Sequence, residues 1–413
     1  MGLVAKASKF LHGLEKQSSS SVKSLEDILS ARDEIQANDV PLELSGVGIL
    51  SLTIGVAAIG AEALVMSPVL DDIGRSLETS PGQLGFAVAA YGIALAVTAP
   101  MFAFYGGRVA RLKLMLSGLA LFVLSTIACS VAWEGGVLIA ARAACGISAG
   151  AFLPACYAFV GDAVPYYRRA KVMGRIMFGW SLSLVVGVPL GGFVGQALGW
   201  RMAFVAVAIA GVVAIVLFAM FARRYRPAYA VAFSDVKPQW ALPTSVLFVF
   251  AVTFLNMLGF YGVYTYFGTA VRDAQRIGSA VASAYVLCYG VGLALSTLRG
   301  DILDRLGKVR VLSAALLLLC PLFLLQSAWI ATPVLLAPLM AAWGVLQGAV
   351  LTGLNSVLTQ EAGSGRGVAT ALNSSLTYFA VALSAILGGL VIDFGSGFEA
   401  ICYAATVARL RTH

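Results

Sequence analysis

The chain has 413 residues, of which 60% are hydrophobic and 12% charged. Soluble domains run nearer half apolar and a quarter charged, so this composition excludes an ordinary soluble enzyme, a disulfide-rich secreted domain and a disordered chain. The net charge of +8 is spread in short groups between apolar runs rather than gathered in a patch, so a nucleic-acid partner is not expected. About 248 apolar residues, at roughly 20 per bilayer crossing, supply about twelve spans.

In chain order, residues 1–45 stand apart as a cytoplasmic N-terminal tail. Leu3, Phe10, Leu11 and Leu14 share a helical face among Lys6, Lys9 and Lys16, and Ser24 with Asp27 has the pattern of a capping box. Apolar spans then read 46–70, 82–105, 112–132, 135–160, 172–195 and 200–222. A cytoplasmic linker at 223–242 follows, and a second set reads 243–268, 278–298, 309–330, 333–358, 367–394 and 397–410. The fold class is therefore all-α and polytopic, with an N-terminal half at 46–222 and a C-terminal half at 243–413. The six cysteines all fall inside apolar runs without a CxxC, and read as buried thiols. His12 and His413 lie outside every span. No metal ligand set and no catalytic cluster is expected, and no enzyme.

The positive charges test this layout. With the N-terminus inside, cytoplasmic segments hold 23 of the 28 Lys and Arg, external loops 4, and Arg142 lies within a span. The positive-inside rule then places both termini in the cytoplasm of a cell, or inner, membrane. The chain also repeats. Tyr91-Gly92 matches Tyr289-Gly290 at an offset of 198, and Arg108 matches Arg305 and Gly191-Gly192 matches Gly388-Gly389 at 197. Two six-span halves follow.

Gly300 to Arg310, with Asp304, Arg305 and Gly307, resembles the loop motif between spans 8 and 9 of the major facilitator superfamily. The copy between spans 2 and 3 keeps Arg108, Arg111 and Lys113, but has Gly107 where Asp is usual and Ala110 where Gly is usual. Gly187-Val188-Pro189-Leu190-Gly191-Gly192 resembles the span-5 motif of drug:proton antiporters, in the form of arabinose- and sugar-efflux permeases. Its glycines permit close helix approach and its proline a bend. Ala61-Glu62, Met66-Ser67-Pro68 and Asp71-Asp72 resemble the first span of those permeases, with Ala61 in place of Thr.

Glu62 and Arg142 are the only charges deep in the spans. Ionised groups at such depth cost several kcal/mol and default to function. At 1.5 Å per residue both lie roughly 10–12 Å below the outer boundary, so an ion pair is feasible. Burial raises a carboxyl pKa and a neighbouring Arg lowers it, so Glu62 can exchange a proton. The resemblance implies that spans 1, 4, 7 and 10 line the cavity, which puts forward Asn256, Tyr261 and Gln347; Tyr91 and Asn373 are further polar candidates. The expectation is a monomeric exporter of a small organic solute (a sugar, nucleoside or drug-like molecule) that works in the lipid bilayer. It needs no cofactor beyond a proton gradient. A symporter or uniporter of the same fold, or a non-transporting solute sensor, are the alternatives.

Overall fold

The computed structural model describes residues 44–105, 111–224, 242–298 and 306–410. The secondary structure among them is helical throughout, as it must be where no water can satisfy backbone N–H and C=O groups. The first span is α1 (Gly46–Leu64), continued past Val65 by α2 (Met66–Leu77). Spans 2 to 4 are α3 (Pro81–Tyr105), α4 (Arg111–Ser130) and α5 (Gly135–Ala163). Span 5 is α6 (Tyr166–Leu182), a π-turn at Ser183–Gly187, and α7 (Val188–Leu198). Span 6 is α8 (Trp200–Arg224). The second set runs α9 (Thr244–Gln275), α10 (Ser279–Leu298), α11 (Lys308–Ala328), α12 (Pro333–Glu361), α13 (Arg366–Asp393) and α14 (Gly397–Leu410). Eleven of the spans are long and apolar enough to cross a bilayer, and α14 supplies a shorter apolar twelfth.

Helix ends depart from the sequence reading mainly where the chain leaves the bilayer. Span 1 continues to residue 77 and span 7 to 275. The apolar signal stops at Leu70 and Gly268, but the amphipathic turns beyond keep their backbone bonds by packing on each other.

The repeat is built into the backbone. Helices begin at 46 and 244, at 81 and 279, and at 135 and 333, each an offset of 198. Glu78 and Arg276, also 198 apart, close α2 and α9 in the same left-handed conformation (φ 49° and 55°), which is rare outside glycine. Gly146 of α5 passes under the carbonyl of Tyr91, and Gly344 of α12 under that of Tyr289. At both places a methyl group would overlap the neighbouring backbone.

The two halves pack at mid-helix, where Gly92 meets Tyr378 and Gly290 meets Leu184, and hydrogen-bond at the helix ends away from the 223–242 connection, the far face. Ser67 of α2 donates to the Tyr264 carbonyl of α9 (2.7 Å). Arg272 of α9 forms a bidentate pair with Asp72 (2.8 Å to each oxygen) and also donates to the Pro68 carbonyl (3.0 Å). Asp393 at the end of α13 accepts from Ser80 Oγ (3.0 Å) and the Gly82 amide (3.2 Å), so its carboxylate sits at the positive N-terminus of α3. Gln196 of α7 accepts from the Ala280 amide of α10 (2.9 Å). These three contacts, spans 1 with 7, 2 with 11 and 5 with 8, tie the two halves together at the far face.

The Arg272–Asp72 pair is the strongest of these bonds, being charged, bidentate and mostly shielded from water, with Arg272 10% and Asp72 26% exposed. Arg272→Ala should loosen this junction by about 1.5–3 kcal/mol, the contribution of hydrogen bonds to charged groups. The check is the labelling rate of Ser67→Cys, read at that site by mass spectrometry. It should rise about tenfold or more in the Arg272→Ala background, since 1.4 kcal/mol is a factor of ten. An unchanged rate would show that the latch does not hold the face shut.

Candidate functional site

Glu62 stands near the end of α1 and Arg142 two turns into α5, and both are fully buried. Arg142 Nη1 donates to the Glu62 carbonyl (3.0 Å) and to Glu62 Oε1. The expected ion pair is thus present, and it ties span 1 to span 4. Arg142 Cζ lies over the Tyr91 ring of α3, 4.6 Å from its centroid, in a cation–π contact. Tyr91, put forward from the sequence as a cavity candidate, thus contacts Arg142 directly. The pair is incompletely satisfied. Glu62 Oε2, Arg142 Nε and Arg142 Nη2 are buried without a hydrogen-bond partner among the described residues. Such a pair is held by Coulomb attraction more than by a full bonding set, and a change of protonation on Glu62 removes most of what holds it.

The second copy of the repeat shows that the fold does not need these charges. At the 198-residue offset, Phe260 occupies the place of Glu62 and Met340 that of Arg142, both buried in the core. The stacking tyrosine is kept, as Tyr289, which packs on Trp343 at 5.1 Å between ring centroids. One half sets Phe260 and Met340 at these positions, with Gln326 Nε2 donating to the Met340 sulfur (3.6 Å), and the other sets an ion pair there.

Span 5 connects that pair to the opposite half. Gly187, Gly191 and Gly195 recur every four residues and face Ala61, Val65 and Val69 of the first span. A methyl group would come within 2.6 Å of Ala61 Cβ at Gly187, would overlap Val65 at Gly191, and would come within 2.7 Å of Val69 at Gly195. Gly192, one position round, presses on Ser283 of α10, where a methyl would meet Oγ at 2.5 Å. Ser279 donates to the Gly192 carbonyl (3.0 Å) and Ser283 to the Pro189 carbonyl (3.4 Å). Just before Pro189 the helix widens into the π-turn, with the Val188 amide bonded five residues back to Ser183. π-turns mark helices that bend or shift at functional sites. The span-5 motif therefore contacts the Glu62-bearing helix on one side and the opposite half on the other.

The remaining polar candidates do not join the pair. Asn256 on α9 and Gln347 on α12 are fully buried in the C-terminal half, and both amide atoms of Gln347 lack partners among the described residues. Asn373 on α13 is buried, and its Oδ1 has no partner among the described residues. Tyr261 is half-buried, edge-on to Phe260 at 4.9 Å. The Tyr378 carbonyl of α13 packs against Gly92 of α3, and Tyr157 of α5 accepts from Trp180 Nε1 at 3.2 Å. Tyr157 was missed in the sequence. It continues the face of α5 that carries Arg142, Gly146 and Gly150, and helical periodicity from Arg142 could have found it.

Of the loop-motif residues, Arg108, Gly300, Asp304 and Arg305 lie outside the described residues. Gly307 begins α11 at φ 91°. Arg111 pairs with Asp162 and donates to the Ala158 carbonyl (3.0 Å), tying span 3 to span 4. The carboxylate missing from the loop at Gly107 is thus matched by one from α5.

A model of the Major Facilitator Superfamily matches residues 50–385. The chain is 34% identical over 370 residues to the MFS-type transporter YwfA of Bacillus subtilis (strain 168), covering 87% of this chain and 89% of that protein. It is 26% identical over 356 residues to the inner membrane transport protein YdhP of Escherichia coli (strain K12), covering 85% and 90%. Among solved structures, a bacterial homolog of the human lysosomal transporter Spinster, inward-facing and unoccupied, superposes with a TM-score of 0.67 at 16% identity over 88% of this chain and 92% of that one. The human organic anion transporter MFSD10 gives 0.66 at 19% over 88% and 97%. The chain belongs to the Major Facilitator Superfamily and is a membrane transporter.

Proposed function

We propose that this transporter exports a small organic solute in exchange for protons, with Glu62 as the proton-carrying group and Arg142 as its counter-charge. The observation that carries the reading is the asymmetry of the repeat. Phe260 and Met340 fill in the C-terminal half what Glu62 and Arg142 fill in the N-terminal half. An apolar layer of similar volume is often as stable as a buried ion pair or more so, so a pair retained in one half answers to something other than stability.

The excess of Lys and Arg on linker-side segments supports a cytoplasmic linker face. In this reading the far face is external, and the contacts that join the two halves there belong to a cytoplasm-facing state of alternating access. In the reading, opening of the far face lets a proton reach the unpartnered Oε2 of Glu62. Neutralising the carboxylate weakens its hold on Arg142 Nη1, and Arg142 turns to other partners while Tyr91 keeps its place. The change in α1 passes through Ala61 and Val65 to Gly187 and Gly191, and from Gly192 to span 8. Resemblance of the span-5 motif to that of efflux permeases supports export. The substrate class remains that of the sequence reading: a sugar, nucleoside or drug-like solute.

Proteoliposomes with a pH-sensitive dye inside test the reading, with sugars, nucleosides and cationic drugs added in turn. An active solute should move protons against its own direction. In Glu62→Gln that proton movement should fall to the level of protein-free liposomes, while solute-for-solute exchange continues. Proton flux unchanged in Glu62→Gln would sink the assignment, and protons moving with the solute would make it a symporter.

Gly191→Val tests the mechanical link. Overpacking a fitted interface costs about 1–3 kcal/mol, so transport should slow about 5- to 100-fold while the protein stays folded in detergent. Transport at the wild-type rate would show that span 5 does not relay the change.

A further inference from the structure

The fold gathers a second kind of chemistry around Glu62. Cys129 at the end of α4 and Cys145 on α5 are 16 residues apart in sequence, and face each other with sulfurs 3.9 Å apart. A carboxylate oxygen of Glu62 joins them, and the three ligand atoms all lie within 4.8 Å of one another. All three residues are fully buried, and Glu62 Oε2 has no partner among the described residues. The hydroxyl of Thr126 stands 3.9 Å from the Cys145 sulfur.

We propose that Glu62, Cys129 and Cys145 form a binding site for a thiophilic divalent cation such as Zn²⁺ or Cd²⁺, and that its occupancy arrests the transporter. A tetrahedral ion that holds sulfur at about 2.3 Å sets two sulfurs about 3.8 Å apart, which matches the observed spacing. Two thiolates and one carboxylate carry three negative charges. The ion and Arg142 carry three positive charges, so the filled site is neutral in a medium that penalises net charge. Two soft sulfur donors select such ions over Mg²⁺ or Ca²⁺. On binding, each thiol loses its proton to solvent and the ion takes both sulfurs, with no change of oxidation state. The ion reaches the site when the far face opens. Once bound, it fastens span 1 to spans 3 and 4 through the carboxylate that would otherwise take the proton. The arrest rests on the coupling role proposed for Glu62, whereas the binding does not.

The test is titration of the purified full-length protein in detergent with CdCl₂ alone, at neutral pH in weak buffer. One ultraviolet thiolate-to-metal band should grow and saturate at one ion per chain, with release of about two protons. The band should vanish in Cys129→Ser and in Cys145→Ser, and persist in Cys288→Ser, which alters a thiol far along the chain in α10. Cys→Ala versions are used for any Ser variant that fails to elute as a single species. Absence of the band in the wild type, or its survival in both the Cys129 and Cys145 variants, would overturn the site. Proteoliposome flux with and without Cd²⁺ then separates the two claims. Binding with inhibition supports both. Binding without inhibition would leave the site standing, but would overturn the arrest and count against the coupling role of Glu62.

Discussion

A charge in hydrocarbon must have a partner or be neutralised, and that constraint organises the N-terminal half of this molecule. Removing Glu62 and Arg142 from water costs several kcal/mol for each ion. Their mutual attraction offsets it only while they touch, which fixes span 1 against span 4 and sets the height at which they meet. Tyr91 supports the guanidinium from span 2, and the carbonyl of the same residue rests on Gly146 of span 4. Three helices are thus registered around one contact. Because Glu62 Oε2 and two guanidinium nitrogens lack partners among the described residues, the contact is strong but not locked.

Close packing turns that local contact into a global one. Where Gly191 faces Val65 and Gly192 faces Ser283, there is no slack for span 1 to move without span 5, or for span 5 to move without span 8. Interiors packed at this density are bistable rather than continuously deformable, so a small change at one contact is resolved by a rigid rearrangement. The far-face bonds through Arg272, Asp393 and Gln196 are the ones such a rearrangement must break.

Much of this was legible in the sequence because the bilayer leaves few solutions. Apolar run length gave the spans, and the 198-residue repeat gave two sets of six. The rarity of intramembrane charge singled out Glu62 and Arg142, and equal depth on facing helices was enough to pair them. The span-5 glycines were legible as a close-packing face, but not which neighbour each would touch, since Gly191 and Gly192 differ by only 100° around one helix. Contacts that depend on how each helix is rotated left no signal of their own. The meeting of Cys129 with Cys145 and the pairing of Arg111 with Asp162 are of this kind, since hydropathy does not encode helix rotation. The contact of Tyr91 with Arg142 was not legible, because a tyrosine in a span reads equally as a solute contact or as a support for a cation.

The central claim is that protonation of Glu62 switches the transporter between its two faces, and it can be tested without knowing the substrate. Spin labels at Tyr167 and Leu306, both exposed, report the distance between the two halves on the linker face. In the wild type that distance distribution should exchange between two populations as the pH is lowered. In Glu62→Gln it should stay, at every pH, at the population the wild type reaches in acid. The same pH-driven exchange in Glu62→Gln would contradict the account.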